Sequence, residues 1–353
     1  MTRAGLSPAI TAALAAALLF GASTPLAKQL LQQTSPILLA GLLYLGSGIG
    51  LSVGRLVRDR GWRAPGLRRA EWAWLLLAIG FGGVLAPLLL MLGLTRTPAA
   101  SASLLLNLEA VLTALMAWIV FRENTDRRVV LGMALIVAGA AVLAGPGPSY
   151  VPRAGGGALL IALACLCWAL DNNLTRKVSA SDAAFLAGLK GLVAGVVNTG
   201  LALLLGARVP GPAGIAEAMT IGLLGYGVSL VLFVLALRGL GAARTGAYFS
   251  TAPFMGAAIA VLAFGERPSP TLWLAAVLMG AGVWLHLRER HEHAHTHLPV
   301  KHTHHHVHDE HHQHSHDFDW DGREAHTHEH THALLSHSHP HYPDTHHQHR
   351  HDE

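Results

Sequence analysis

The sequence predicts an all-α polytopic membrane protein: ten transmembrane helices as two inverted five-helix repeats, followed by a disordered tail. Three observations carry this. The 353 residues are 52% hydrophobic and only 13% charged, and the apolar residues gather in runs of about 20, the length that spans ~30 Å of hydrocarbon. The stretch 99–142 recurs at 242–285 with 10 identities in 44 positions, Glu123/Glu266 and Gly139/Gly282 among them. All 25 His lie at or after His286, so a polar tail follows an apolar body.

Ten apolar runs are expected to be helices, at about 8–30, 36–56, 72–94, 98–121, 128–145, 156–177, 183–206, 214–237, 242–264 and 270–287. This divides the chain into a first repeat (1–145), a linker (146–154), a second repeat (155–290) and the tail (291–353). The linker region is marked by the Gly- and Pro-rich stretch Gly145 to Gly157. Arg3 and the apolar run ending Gly-Ala-Ser resemble a cleavable signal, but cleavage would leave the first repeat one helix short. Five helices per repeat is odd, so the second copy must enter the membrane in the opposite sense. With the N-terminus inside, the inner loops and ends carry 16 Lys and Arg and the outer loops 5. That asymmetry places both termini in the cytoplasm and the protein in the bacterial inner (plasma) membrane. Gly46, Gly50 and Gly54 recur every fourth residue in the second run, where another backbone could approach. Pro25, Pro87 and Pro253 lie inside runs and remove a backbone donor each. Cys165 and Cys167 are too close in sequence for a useful disulfide.

Ionisable residues deep in the runs are few: Glu109, Asp171 and Lys190. A charge in hydrocarbon is costly and is usually paired or turned to a cavity. Glu109 falls near mid-bilayer, ~15 Å from Ala99 along a helix. Asp171 and Lys190 lie at matched depth on neighbouring runs, so an ion pair is expected. Asn107, Asn172, Asn198 and Cys167 complete the expected transport-pathway set. Cys167 is one turn from Asp171, and Asn198 is eight residues beyond Lys190. No Gly-rich phosphate loop ending in Gly-Lys-Ser/Thr is present, and no enzymatic activity is expected.

Residues 1–290 carry 22 basic and 10 acidic residues, a net of +12. Residues 291–353 carry 3 and 11, a net of −8 with His neutral, and hold 24 His. With almost no aliphatics the tail cannot bury a core, and disorder is expected. Its candidate ligands are His291, His293, His295, His297, His302, His304, His305, His306, His308, His311, His312, His314, His316, His326, His328, His330, His332, His337, His339 and His341. In an extended chain residues i and i+2 project to one side, and imidazole suits Zn²⁺, Ni²⁺, Co²⁺ and Cu²⁺. No cofactor is required; divalent metal bound by the tail is expected. A passive or pH-responsive tail is the other reading.

Ser103 to Trp118, leading to Phe121-Arg122-Glu123, and the second-copy Phe264-Gly265-Glu266 make residues 8–287 resemble the EamA-type transporters of the drug/metabolite transporter superfamily. The five-plus-five layout agrees. The first copy departs from the family pattern in having Ala110 after Glu109, where the second copy has Pro253. The resemblance implies a transporter and is silent on the substrate. Two readings stay open: a secondary transporter of a small organic solute, an exporter, with a metal-binding tail; or a divalent-metal (Ni, Co, Zn) transporter whose tail captures its cargo. A third is a membrane-anchored metal store. The expected partners are the bilayer, the small-molecule or metal substrate and a second copy of the chain, with no nucleic acid.

Overall fold

The computed structural model describes residues 7–62, 67–121, 127–145, 154–175, 178, 182–287, 292–297, 301–306, 326–331 and 335–340. The first two helices start as their sequences dictate. Ser7 and Ser35 accept the backbone N–H groups of Ile10 and Leu38 at 3.3 and 3.4 Å. Pro8 and Pro36 follow, where a missing N–H costs nothing, and α1 (Pro8–Leu30) and α2 (Pro36–Arg58) result. The third run is α3 (Arg69–Ala78), a π-helical turn (Ile79–Leu85) and α4 (Ala86–Leu94). The fourth is split into α5 (Ala99–Leu105) and α6 (Leu108–Phe121), and α7 (Arg127–Ala144) closes the first copy.

The second copy runs α8 (Ala154–Thr175), α9 (Ala183–Leu204), α10 (Pro212–Gly222), a π-helical turn (Leu223–Val228), α11 (Ser229–Phe249), α12 (Ala252–Leu262) and α13 (Pro270–Leu287). Among the described residues nine segments are long and apolar enough to cross a membrane, and Pro270–Leu285 is a shorter apolar helix. Side chains such as Ile119, Val196 and Val277 are 68, 63 and 68% exposed, which suits lipid and not water.

Packing is reciprocal between the copies. α2 lies along α9 and α7 along α13; α1 packs on α11 and α12, as α8 packs on α4 and α6. Small residues permit the close crossings. Gly48 and Gly191 face each other, so a Cβ added to Gly191 would lie 2.6 Å from the Cα of Gly48. Gly46 abuts the Met219 backbone and Gly50 the Leu223 side chain, but Gly54 has open space around it. Eight residues turn a helix through ~80° beyond two full turns, so the four-residue stripe drifts off the contact face.

Three expectations are corrected. The run 98–121 is not one helix but breaks at Leu106 and Asn107. Residues 238–241, expected as a loop, lie within α11; no Pro stands there to stop it, unlike Pro98 in the first copy. Four described segments of the tail, expected to be structureless, are strands: β1 (Glu292–His297), β2 (Lys301–His306), β3 (His326–Thr331) and β4 (Leu335–Pro340); the rest of 291–353 lies outside the described residues. β1 pairs antiparallel with β4, and β2 with β3. Pairing satisfies backbone groups without a core, and the alternating sequence has the period of a strand.

A charged cluster ties α2 to α9. Asp182 caps α9 by accepting from the N–H groups of Ala184 and Phe185 at 2.8 and 3.3 Å. It also accepts from Arg55 Nε at 3.0 Å and Arg58 Nη2 at 2.7 Å. Arg55 is 6% exposed, its guanidinium 5.6 and 5.3 Å from the rings of Trp62 and Phe185. Burial raises the Asp182 carboxyl, but the hydrogen bonds from Arg55 and Arg58 outweigh it and hold the group below its ordinary value. A depressed carboxyl contributes stability that is complete above its unfolded pKa of ~3.9 and is lost as pH falls through the folded value. Asp182→Asn keeps an effective cap but removes the charge that pairs with Arg55 at 3.0 Å and Arg58 at 2.7 Å. It should cost about 2 kcal/mol, read as a lower unfolding midpoint in detergent. The deficit against wild type should be constant near neutrality and shrink only in strong acid.

Candidate functional site

The π-helical turn in the third run shapes the candidate site. In an α-helix the N–H of Ala86 would bond the carbonyl of Gly82; here it bonds Phe81 instead. The freed Gly82 oxygen accepts from the Tyr44 hydroxyl and from Trp168 Nε1, both at 3.0 Å. Pro87 favours such a slip, since its ring cannot stack on a regular preceding turn. Gly82 also leaves room: a Cβ there would overlap the Asp171 carboxylate.

Asp171, 5% exposed, accepts from Lys190 Nζ at 2.7 and 2.6 Å through its two oxygens. The Thr175 hydroxyl adds a third bond at 3.1 Å. The Lys190 side chain keeps 21% exposure, so its end of the pair is the less buried one.

The broken span supplies a second cluster. At the break Asn107 donates Nδ2 to the Leu104 carbonyl at 2.9 Å and approaches Met279 Sδ at 3.9 Å. Cys165 Sγ lies 3.8 Å from the Leu105 carbonyl. Glu109 stands in the first turn of α6, where the helix dipole favours an anion. It accepts from Asn172 Nδ2 at 3.0 Å, and the same amide lies 3.4 Å from Thr113 Oγ1. Asn198, 0% exposed, donates to the Val84 carbonyl in the π-helical turn at 3.3 Å, and its Oδ1 has no partner among the described residues.

The expected residues therefore form two groups, Asp171 with Lys190 and Glu109 with Asn172, while Asn107 and Asn198 each brace an irregular backbone. Cys167 is half-buried and joins neither group. Cys165 reaches the broken helix in its place, because Cys165, Trp168 and Asn172 share one face of α8 and Cys167 lies two residues off it. Glu266 accepts from the N–H groups of Ala99 and Ala100 at 2.7 and 2.8 Å and so caps α5; Glu123 lies outside the described residues.

Sequence reasoning missed the aromatic wall. The Tyr44 and Tyr226 rings lie 5.6 Å apart, tilted by 49°, and Phe20 lies 6.2 Å from Tyr226 and 5.3 Å from Phe249. Tyr226 belongs to the second π-helical turn. The available signal was two Tyr, with polar tips, inside otherwise apolar runs.

Among the described side chains no three His, Cys, Asp or Glu come together as a metal site. Of the tail ligands, His293, His295, His297, His302, His304, His305, His306, His326, His328, His330, His337 and His339 fall on strands. In the backbone register His293 is opposite His339, His295 opposite His337, His302 opposite His330, and His304 opposite His328. His291, His308, His311, His312, His314, His316, His332 and His341 lie outside the described residues.

The model of the EamA-like transporter family matches residues 7–145 and again 155–288. An uncharacterized transporter of Methanothermobacter thermautotrophicus is 30% identical over 285 residues, covering 76% of this chain and 83% of its own. A probable 4-amino-4-deoxy-L-arabinose-phosphoundecaprenol flippase subunit, ArnE, of Pseudomonas paraeruginosa is 43% identical over 116 residues, which are 31% of this chain and 96% of that subunit. A solved crystal structure shares the fold with a TM-score of 0.58 at 22% identity, covering 80% of this chain and 97% of the other.

Proposed function

Because the chain belongs to the EamA-like transporter family and is a multi-pass membrane protein, we propose that it is a secondary transporter exporting a small organic solute. The observation that carries this reading is the interrupted span, which sets Glu109 at the start of a half-helix beside Asn172 and near a buried ion pair. Discontinuous helices with unpaired backbone and an ionisable group are how transporters build solute and coupling-ion sites. The donor set is a carboxylate, amides, one ion pair and aromatic rings, which suits an organic solute better than a bare cation. ArnE is named for a lipid-linked sugar flippase, so amphiphilic organic solutes belong in the set to be tested.

Ten spans in two inverted repeats belong to the same reading. It is supported by the two family matches, the reciprocal helix packing and two backbone correspondences. The break at Leu106 and Asn107 in one copy falls within one residue of the position of the break at Ser250 and Thr251 in the other. The π-helical turn before Ala86 matches the turn before Ser229, each with an N–H reaching five residues back. The same reading has both termini in the cytoplasm, supported by the charge asymmetry of the loops, and the protein in the bacterial inner membrane. The tail is assigned to divalent transition metal, as buffer or sensor, on its His content and register. A divalent-metal carrier is the second reading, and the tail is what favours it.

One experiment tests these together. Proteoliposomes are assayed for flux of an amino-acid and amphiphile panel and of Ni²⁺, Co²⁺ and Zn²⁺, using wild type, Glu109→Gln and a chain lacking residues 291–353. Organic flux that falls at least about tenfold in Glu109→Gln, and survives tail deletion while metal binding is lost, is expected. Metal flux without organic flux favours the second reading.

A further inference from the structure

We propose that the mouth of the bundle at the far end of α8 from Asp171 carries an anion site for an organic phosphate. A pocket of ≈ 700 Å³ opens there, lined by Lys28, Arg96, Glu266 and Arg267. That volume suits a ligand larger than inorganic phosphate. Lys28 donates to the Leu94 carbonyl. Both Glu266 oxygens are taken up by the N–H groups of Ala99 and Ala100 at 2.7 and 2.8 Å. The four side chains therefore bring three positive charges against one negative charge, and that negative charge is already turned to a helix start.

The Arg96 and Arg267 guanidinium groups have no hydrogen-bond or ion-pair partner among the described residues. Guanidinium groups are the preferred donors to phosphate because their N–H fork fits two oxygens at once. The pocket is separate from the polar clusters described above. Gly157 of α8 lies against Arg96 and Thr97, and Asp171 is fourteen residues further on, ~21 Å along the helix. The inference goes beyond the transport reading, since binding here can be measured in protein that moves nothing.

The phosphate could belong to a phospholipid headgroup at the membrane surface or to a water-soluble ester. The full chain is held in dodecyl maltoside, which carries no phosphate, and titrated with glycerol 3-phosphate, then with succinate. The same micelles are separately titrated with short-chain phosphatidic acid. Saturable binding of glycerol 3-phosphate identifies a soluble source, and binding of phosphatidic acid alone identifies a headgroup; either supports the site. Arg96→Gln and Arg267→Gln should each weaken that binding about tenfold, and Arg208→Gln, on another loop, should leave it unchanged. These rim variants remove no packed side chain, so their unfolding midpoints should match wild type and show the fold intact. No saturable binding of either phosphate, equal binding of succinate, or unchanged binding in both rim variants overturns the proposal.

Discussion

Lys190→Ala should destabilise the helical body by about 3 kcal/mol, the low end for a broken buried pair, because the Lys190 side chain keeps 21% exposure. The variant strands the Asp171 carboxylate, 7% exposed, with only the Thr175 hydroxyl as a described hydrogen-bond partner, at 3.1 Å. A second change, Asp171→Asn, removes the uncompensated charge, so the double variant should recover part of the loss. Asp171→Asn alone should cost less than Lys190→Ala, because the amide oxygen can still accept from the Lys190 ammonium. The measurement is a double-mutant cycle of unfolding midpoints in one detergent. A double variant no more stable than Lys190→Ala would show that the pair is not what the first substitution broke.

That pair was legible in the sequence because charges are rare in apolar runs and depth along a run can be counted. The spans were legible for the same reason: run length maps directly onto bilayer thickness. The interruptions were not. Leu106-Asn107 contains neither Gly nor Pro, and its break is stabilised by partners from other helices: Cys165 from α8 and Met279 from α13. The first π-helical turn likewise depends on distant partners, since the carbonyl freed at Gly82 accepts from Tyr44 and Trp168, which arrive from α2 and α8. Pro87 marked a missing backbone donor in this run without fixing the form of the irregularity. Periodicity could relate Cys167 to Asp171, but only packing shows that α8 turns Cys165 to the broken span. The tail pattern gave period two at once, whereas its register needed the second strand of each pair.

Gly82→Ala should disturb the site more than any other single added methyl group near it. Ala is favoured over Gly within a helix by about 1 kcal/mol, so propensity alone predicts stabilisation. Here the methyl would overlap the Asp171 carboxylate, and the atoms involved include the Asp171 Cβ, so rotating the carboxylate away is not enough. Either α8 retreats from the third span or Asp171 leaves Lys190, and both weaken the bonds from Tyr44 and Trp168 to the Gly82 carbonyl. Overpacking of this kind costs about 1–3 kcal/mol, which outweighs the propensity gain. Gly80→Ala supplies the contrast, because Gly80 lies in the same π-helical turn with nothing within 4 Å of an added Cβ. Gly80→Ala should therefore be neutral or stabilising with flux intact. Gly82→Ala should lower both the unfolding midpoint and the flux, and the stability loss should be smaller when Lys190→Ala has already broken the pair. Equal behaviour of the two alanine variants would mean that the missing side chain at position 82 is not what lets Asp171 reach Lys190.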